Sequence, residues 1–188
     1  PSIPLPARTG PSFARGLWRI ASADVSSGNK VKLLHNGPDA FDEMEGLIYE
    51  ARESVSMEAY IFRADAVGHR IAAALKAVAK SGVQVRLLVD WIGTRGTPGA
   101  FFDELRSAGV QVQVFSPPGF RRWLGLVPRD HRKLLVIDNK VGLTGGVGIG
   151  LEWMRGVAST RRSQWRDEAV RIQGPAATDM TQAFEKMW

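Results

Sequence analysis

From residue 30 onward, short apolar runs that suit strands alternate with stretches whose apolar residues recur at helical spacing. This alternation is the strongest constraint on the fold, because strands separated by helices bury their faces most readily as a layered α/β domain. VKLLHN (31–36) reads as a buried strand, and Pro38 suits the first turn of a following helix. Phe41, Met44, Leu47, Ile48 and Ala51 mark that helix over 39–53. SVSMEAYIF (54–62) is strand-like, and Asp65 N-caps a helix through Lys80 that Ser81-Gly82 stops. VQVRLLVD (83–90) is the clearest strand, residues 98–109 form a short helix ending at Gly109, and VQVQVF (110–115) is a further strand. RKLLVID and VGLTGG predict a hairpin turning at Asn139-Lys140. WRDEAVRIQG (165–174) gives another strand, and residues 175–188 close with an amphipathic helix. The late hairpin makes the expected sheet mixed, flanked by helices. Residues 1–29, rich in Pro, Gly and Ser, read as an irregular arm, which leaves 30–188 as one domain.

The 188 residues, 44% hydrophobic and 23% charged, suffice for one sizeable core. No apolar stretch approaches the ~20 residues needed to span a bilayer. The opening, PSIPLPARTGPSF, carries neither an initiator Met nor a signal-peptide core and reads as a processed or trimmed end. The absence of cysteine excludes disulfides, thiolate zinc sites and cysteine catalysis. A net charge of +6 favours anionic partners: phosphate groups, nucleic acid or an acidic membrane surface.

Chemistry concentrates in DHRKLLVID (130–138). Alternate side chains of a strand share a face, so His131 and Lys133 point the same way, about 7 Å apart at ~3.3 Å per residue. Imidazole serves as nucleophile or proton carrier near neutral pH, and a lysine ammonium is a point charge suited to phosphate oxygens. Together they suit attack on a phosphodiester: the Lys offsets the charge gathering on the phosphoryl group, and the His attacks phosphorus or protonates the leaving oxygen. Asp138 falls at the far end of the strand, beside the turn.

His-x-Lys-x4-Asp followed by a glycine-rich turn resembles the phospholipase D superfamily, and in particular the amino-terminal half of bacterial cardiolipin synthases. The resemblance is carried by HRKLLVID (131–138) and GLTGGVGI (142–149). It extends through VKLLHNGPDAF, MEAYIFRADAVG, GVQVRLLVDWIG, AGVQVQVF and WRDEAVRIQGPAATDMTQAFEKMW, roughly residues 30 to 188. It implies the phospholipase-D-like mixed sheet and a phosphatidyl transfer that needs neither metal nor cofactor. Two His-Lys-Asp motifs meet across a pseudo-twofold axis; one His forms a phosphohistidine, and the other protonates the leaving alcohol and then activates the acceptor. Carried over, His131 is the nucleophile or its acid/base counterpart, and Lys133 binds phosphate with the Gly145-Gly146 turn. Asp138 completes the motif, although its position suits an anchor for the turn better than a proton acceptor. Asp167 in WRD matches the acidic residue that orients the His ring, with Arg166 beside it. The substrate implied is an anionic phospholipid at a bacterial membrane surface, on its cytoplasmic side or periphery.

Two positions depart from the family pattern. Gly148 stands where an Asn usually donates to phosphate, and Asp130 stands where an Asn often precedes the His; a carboxylate there is expected to favour the imidazolium form of His131. There is also a single motif. His35 and His69, the only other histidines, have no lysine two residues on and read as core or surface residues. The chain therefore supplies one half-site, completed either by a second copy or by a second half of a longer natural protein. A phosphodiesterase acting on nucleic acid and a non-catalytic, phosphate-binding half are the alternative functions.

Other features admit several readings. The loop 117–130 mixes Phe120, Trp123, Leu124, Leu126 and Val127 with Arg121, Arg122 and Arg129. It suits a membrane interface, a nucleic-acid platform or packing against a second half. STRRSQWR (159–166) is most simply a solvated basic face. GLTGGVGIG is no dinucleotide fingerprint, because it lies in a hairpin and not between a strand and a helix. Glu58, on the same strand as Tyr60, either faces the site or makes a buried structural hydrogen bond.

Overall fold

The structure is a computed structural model, and it describes residues 26–117, 128–154 and 165–188 together with Gly10, Phe13 and Gly16. Among the described residues, seven strands and four helices follow one another as β1 (Lys30–His35), α1 (Asn36–Glu50), β2 (Ser54–Ala59), α2 (Ala66–Lys80), β3 (Gln84–Asp90), α3 (Gly99–Ser107), β4 (Gln111–Phe115), β5 (Lys133–Ile137), β6 (Val141–Gly145), β7 (Glu168–Gln173) and α4 (Ala176–Glu185). A 3-10 turn, Leu151–Trp153, lies between β6 and β7. The strands form one sheet in the order β1-β7-β6-β5-β2-β3-β4. β2, β3 and β4 run parallel, and every other pair is antiparallel. The fold is the mixed, helix-flanked α/β sheet that the sequence predicts.

The two faces of the sheet divide the helices. Val55, Met57, Val85, Leu87, Val89, Leu135 and Ile137 point to one face, where Phe41 and Ile48 of α1, Ile71 and Leu75 of α2 and Leu105 of α3 complete the main core. Leu88, Leu134 and Val136 point the other way and meet Phe184 of α4. Both faces of β5 are thus covered, which is why LLVI (134–137) is a continuous apolar run and not an alternating one.

Three boundaries differ from expectation for identifiable reasons. β2 stops at Ala59, three residues early: the Tyr60 carbonyl turns toward Gly93, where a Cβ would collide with it. Phe62 instead bridges to Ile149, through Arg63 N–H to Ile149 O (2.9 Å) and Ile149 N–H to Ile61 O (2.9 Å). α1 begins at Asn36, directly after β1, because Asn36 takes a φ of 63° that turns the chain at once. The β5–β6 turn is centred on Asp138 and Asn139, one residue before the expected pair. Both have positive φ (50° and 55°), as a primed hairpin turn requires, and Lys140 N–H closes it on Ile137 O at 2.9 Å. Asp65 caps α2 as read from sequence, its side chain accepting from Gly68 N–H at 3.0 Å.

Of the loop 117–130, residues 118–127, with Phe120, Arg121, Arg122, Trp123, Leu124, Leu126 and Val127, lie outside the described residues, as do residues 159–164 of the second basic stretch. No helix among the described residues is long and apolar enough to cross a membrane.

Candidate active site

The sheet order brings one end of every strand to a common edge: the carboxyl ends of β1, β2, β3, β4 and β6 and the amino ends of β5 and β7. His131 and Lys133 stand at the centre of this edge, where the chain enters β5. His131 is exposed and Lys133 half-buried. The Lys133 ammonium lies 3.3 Å from both ring nitrogens of His131 and donates to the His131 carbonyl at 2.9 Å. The Tyr60 ring lies beside the imidazole, centroids 4.6 Å apart, with the ammonium 5.3 Å from the Tyr60 centroid. The early exit of β2 from the sheet is what puts Tyr60 here, so no pattern within β2 itself marks it. Burial holds the Lys133 ammonium below its usual pKa, while the negative fields of Asp167 and Asp130 pull it back up. A cation held in this way, next to an exposed imidazole and facing the open edge, suits a phosphate oxygen.

The glycine-rich turn closes the site on the β6 side. A side chain at Gly145 would collide with the Glu168 carbonyl, and one at Gly146 with the Asp167 carboxylate, so β7 approaches here as only glycine allows. The Gly146 N–H is already given to the Glu168 carbonyl at 3.0 Å. Asp167 bonds the Glu168 N–H at 3.0 Å and acts on Lys133 through its charge. Among the described residues, the imidazole's contacts are with Lys133 and Tyr60, and no carboxylate lies within hydrogen-bond distance of it. Asp138 is at the other end of β5. Its carboxylate accepts from the backbone N–H groups of Arg52 (2.9 Å), Glu53 (2.8 Å) and Ser54 (2.8 Å), tying the hairpin to the loop before β2. Burial pushes its pKa up, but these three bonds and Lys140 outweigh that and leave it below the usual carboxylate value.

The two departures have structural contexts. A Cβ on Gly148 would lie 2.6 Å from Cη2 of Trp153 and 3.2 Å from Cβ of Ile61, so the Trp153 indole occupies the space a longer side chain would need. Asp130 is buried and its backbone N–H donates to Asp90 at 3.0 Å, while its carboxylate accepts from the Arg132 N–H at 3.2 Å on the face of the strand away from the imidazole. Glu58 is also on that rear face, 2.6 Å from Arg132, so it takes the buried structural alternative. His35 reaches the same edge but pairs with Glu168 at 3.0 Å, and His69 is an exposed α2 residue against Phe101, ring centroids 5.2 Å apart. Among the described residues, no group of three or more His, Asp or Glu is disposed to hold a metal ion.

An exposed His-x-Lys pair at the convergent edge of a mixed seven-stranded sheet defines a domain with the phospholipase D fold. The crystal structure of the phospholipase D family member Nuc from Salmonella typhimurium has that fold, with a TM-score of 0.64 at 22% identity over 85% of this chain and 94% of that one. Residues 44–188 match the family model described as cardiolipin synthase, PLD-like domain, and the chain belongs to that family. It is 32% identical over 187 residues to cardiolipin synthase A of Pseudomonas syringae, covering 97% of this chain and 38% of that protein. It is 37% identical over 167 residues to the major cardiolipin synthase of Bacillus subtilis, covering 88% of this chain and 34% of that protein. The chain thus spans little more than a third of the length of these curated relatives.

Proposed function

We propose that this domain supplies one half of a cardiolipin-synthase-type phosphatidyltransferase site, working without metal at the surface of a bacterial membrane. The supporting observation is the exposed His131 with the Lys133 ammonium 3.3 Å from its ring nitrogens. An imidazole nitrogen of His131 attacks the phosphorus of an anionic phospholipid. The bond to the leaving alcohol breaks, and that alcohol takes a proton from the histidine of the second half. An acceptor alcohol then gives its proton to the same histidine and attacks phosphorus; the phosphorus–nitrogen bond breaks and a diester is re-formed. Lys133 meets the charge on the phosphoryl oxygens throughout. In the roles carried over from the family, Gly145 and Gly146 allow close approach to phosphate and Asp138 anchors the hairpin; Asp167, at the position of the ring-orienting acid, acts in the free-standing domain on Lys133 through its charge. The second half comes from another copy of this chain or from a further domain of a longer protein.

The test mixes the chain with labelled phosphatidylglycerol vesicles in a metal chelator and follows cardiolipin and released glycerol, with His131→Ala in parallel. Product from the parent chain and none from a folded His131→Ala protein is the expected result. Equal turnover by the two overturns the assignment of His131. Cleavage of DNA, falling steeply with salt, in place of lipid transfer favours the phosphodiesterase reading. The indole filling the space beside Gly148 favours the third reading, a non-catalytic half; phosphate binding without turnover on either substrate supports it.

A further inference from the structure

Behind the His131 strand the structure buries three acids, Glu58, Asp90 and Asp130, exposed by 1%, 0% and 2%. Buried carboxylates need donors. Asp90 has them: one oxygen accepts from the N–H groups of Ile92 (2.8 Å) and Gly93 (3.1 Å), the other from that of Asp130 (3.0 Å). Among the described residues, Glu58 and Asp130 have one cation between them. Arg132 puts Nη2 2.6 Å from Glu58 Oε1 and Nε 3.6 Å from Asp130 Oδ1. The second oxygen of each acid, Glu58 Oε2 and Asp130 Oδ2, is buried with no donor among the described residues. The two side chains converge on the one Arg132 guanidinium, and two ionised carboxylates held there would leave acceptors without a hydrogen. One proton between them gives an O–H···O bond and, with Arg132, a neutral cluster.

We propose that Glu58 and Asp130 share a single proton, and that this pair, clamped by Arg132, is the positioning device that fixes the backbone on either side of His131. Asp130 and Arg132 flank that residue and both anchor on the rear face, so the peptide carrying the imidazole is held from both sides. Arg132 Nη2 also donates to the Ala183 carbonyl at 3.1 Å, extending the clamp to the last turn of α4. The carboxyl of Glu58 is pushed up to about 8, by burial first and by Asp130 second, with Arg132 opposing. The other charged groups on this face are already engaged: Asp90 by backbone donors, and Arg86 of β3 by Glu185 of α4 at 3.0 Å. The catalytic consequence rests on His131 being the nucleophile, whereas the shared proton does not.

The test uses side-chain carboxyl ¹³C resonances of the labelled chain between pH 5 and 9, with Glu58→Gln to assign the signal, and ring resonances of His131 in the same samples. A Glu58 carboxyl still protonated at pH 6.5 and titrating near 8, with a step at the same pH in the His131 ring signals that is missing in Glu58→Gln, is the expected result. Asp130→Asn, whose amide donates to Glu58, should move the Glu58 midpoint down. A Glu58 already ionised at pH 6.5 overturns the shared proton. A pH step in His131 that persists in Glu58→Gln overturns the positioning role. Neither readout requires turnover, so failure of the transferase reading and failure of this one are distinguishable.

Discussion

The two ends of β5 carry parts of one motif and do opposite things with them. At the Asp138 end, three backbone N–H groups within 2.9 Å saturate the carboxylate, and the chain folds back in a tight turn. About 23 Å away at ~3.3 Å per residue, His131 is exposed, and among the described residues its ring contacts a lysine and a tyrosine. The saturated end fixes register and the open end keeps bonding capacity for a ligand. A sequence motif can therefore join a chemical residue to an architectural one, and only the partners of each distinguish them.

Substitutions should separate the two ends. His131→Ala is expected to lower phosphatidyl transfer by on the order of 10⁴-fold or more, with thermal unfolding unchanged, because the site end contributes little to stability. The rear-face cluster should appear in the pH dependence of stability. Glu58 holds its proton in the folded chain up to about 8 but loses it near 4.5 when unfolded, so this group makes stability fall as pH rises between those values. The slope is at most about 1.4 kcal/mol per pH unit. Glu58→Gln should flatten it, read from urea unfolding at pH 5, 7 and 9.

Asp138→Ala should cost about 2–3 kcal/mol by orphaning three donors, with Asp138→Asn in between. If instead it left stability intact and removed activity, the contrast between the ends would fail. Gly148→Asn should cost about 1–3 kcal/mol by overpacking against Trp153, and Trp153→Phe in the same chain should recover part of it in a thermal melt. The smallest effect is on acid unfolding. The lowered pKa of Asp138 contributes stability above 3.8 that is lost as pH falls through its folded value, so Asp138→Asn should reduce the steepness of acid unfolding.

The elements were legible in sequence because each is a local pattern: strand runs broken by helical spacing, a capping Asp65, glycine after a helix. The His-x-Lys geometry was legible for the same reason, since two residues apart on a strand fixes a common face. What was not legible depends on register between distant segments. Glu58 meets Arg132 across 74 positions, and no local pattern assigns the two to one face. Tyr60 reaches the imidazole only because β2 leaves the sheet early, which in turn depends on Gly93 from another loop. Asp167 follows the same rule: its charge acts on Lys133, but the crossing of β7 over Gly146 decides where its carboxylate lies.

The hydrogen bond from Lys133 to the carbonyl of His131, 2.9 Å long, carries one more consequence. The ammonium donates to a neutral carbonyl oxygen at the head of its own strand. An incoming phosphoryl oxygen does not find a bare cation; it replaces a weaker internal ligand. Binding of phosphate at this edge would thus be an exchange, in which an anionic oxygen displaces a carbonyl that a neutral polar solute would displace with little gain.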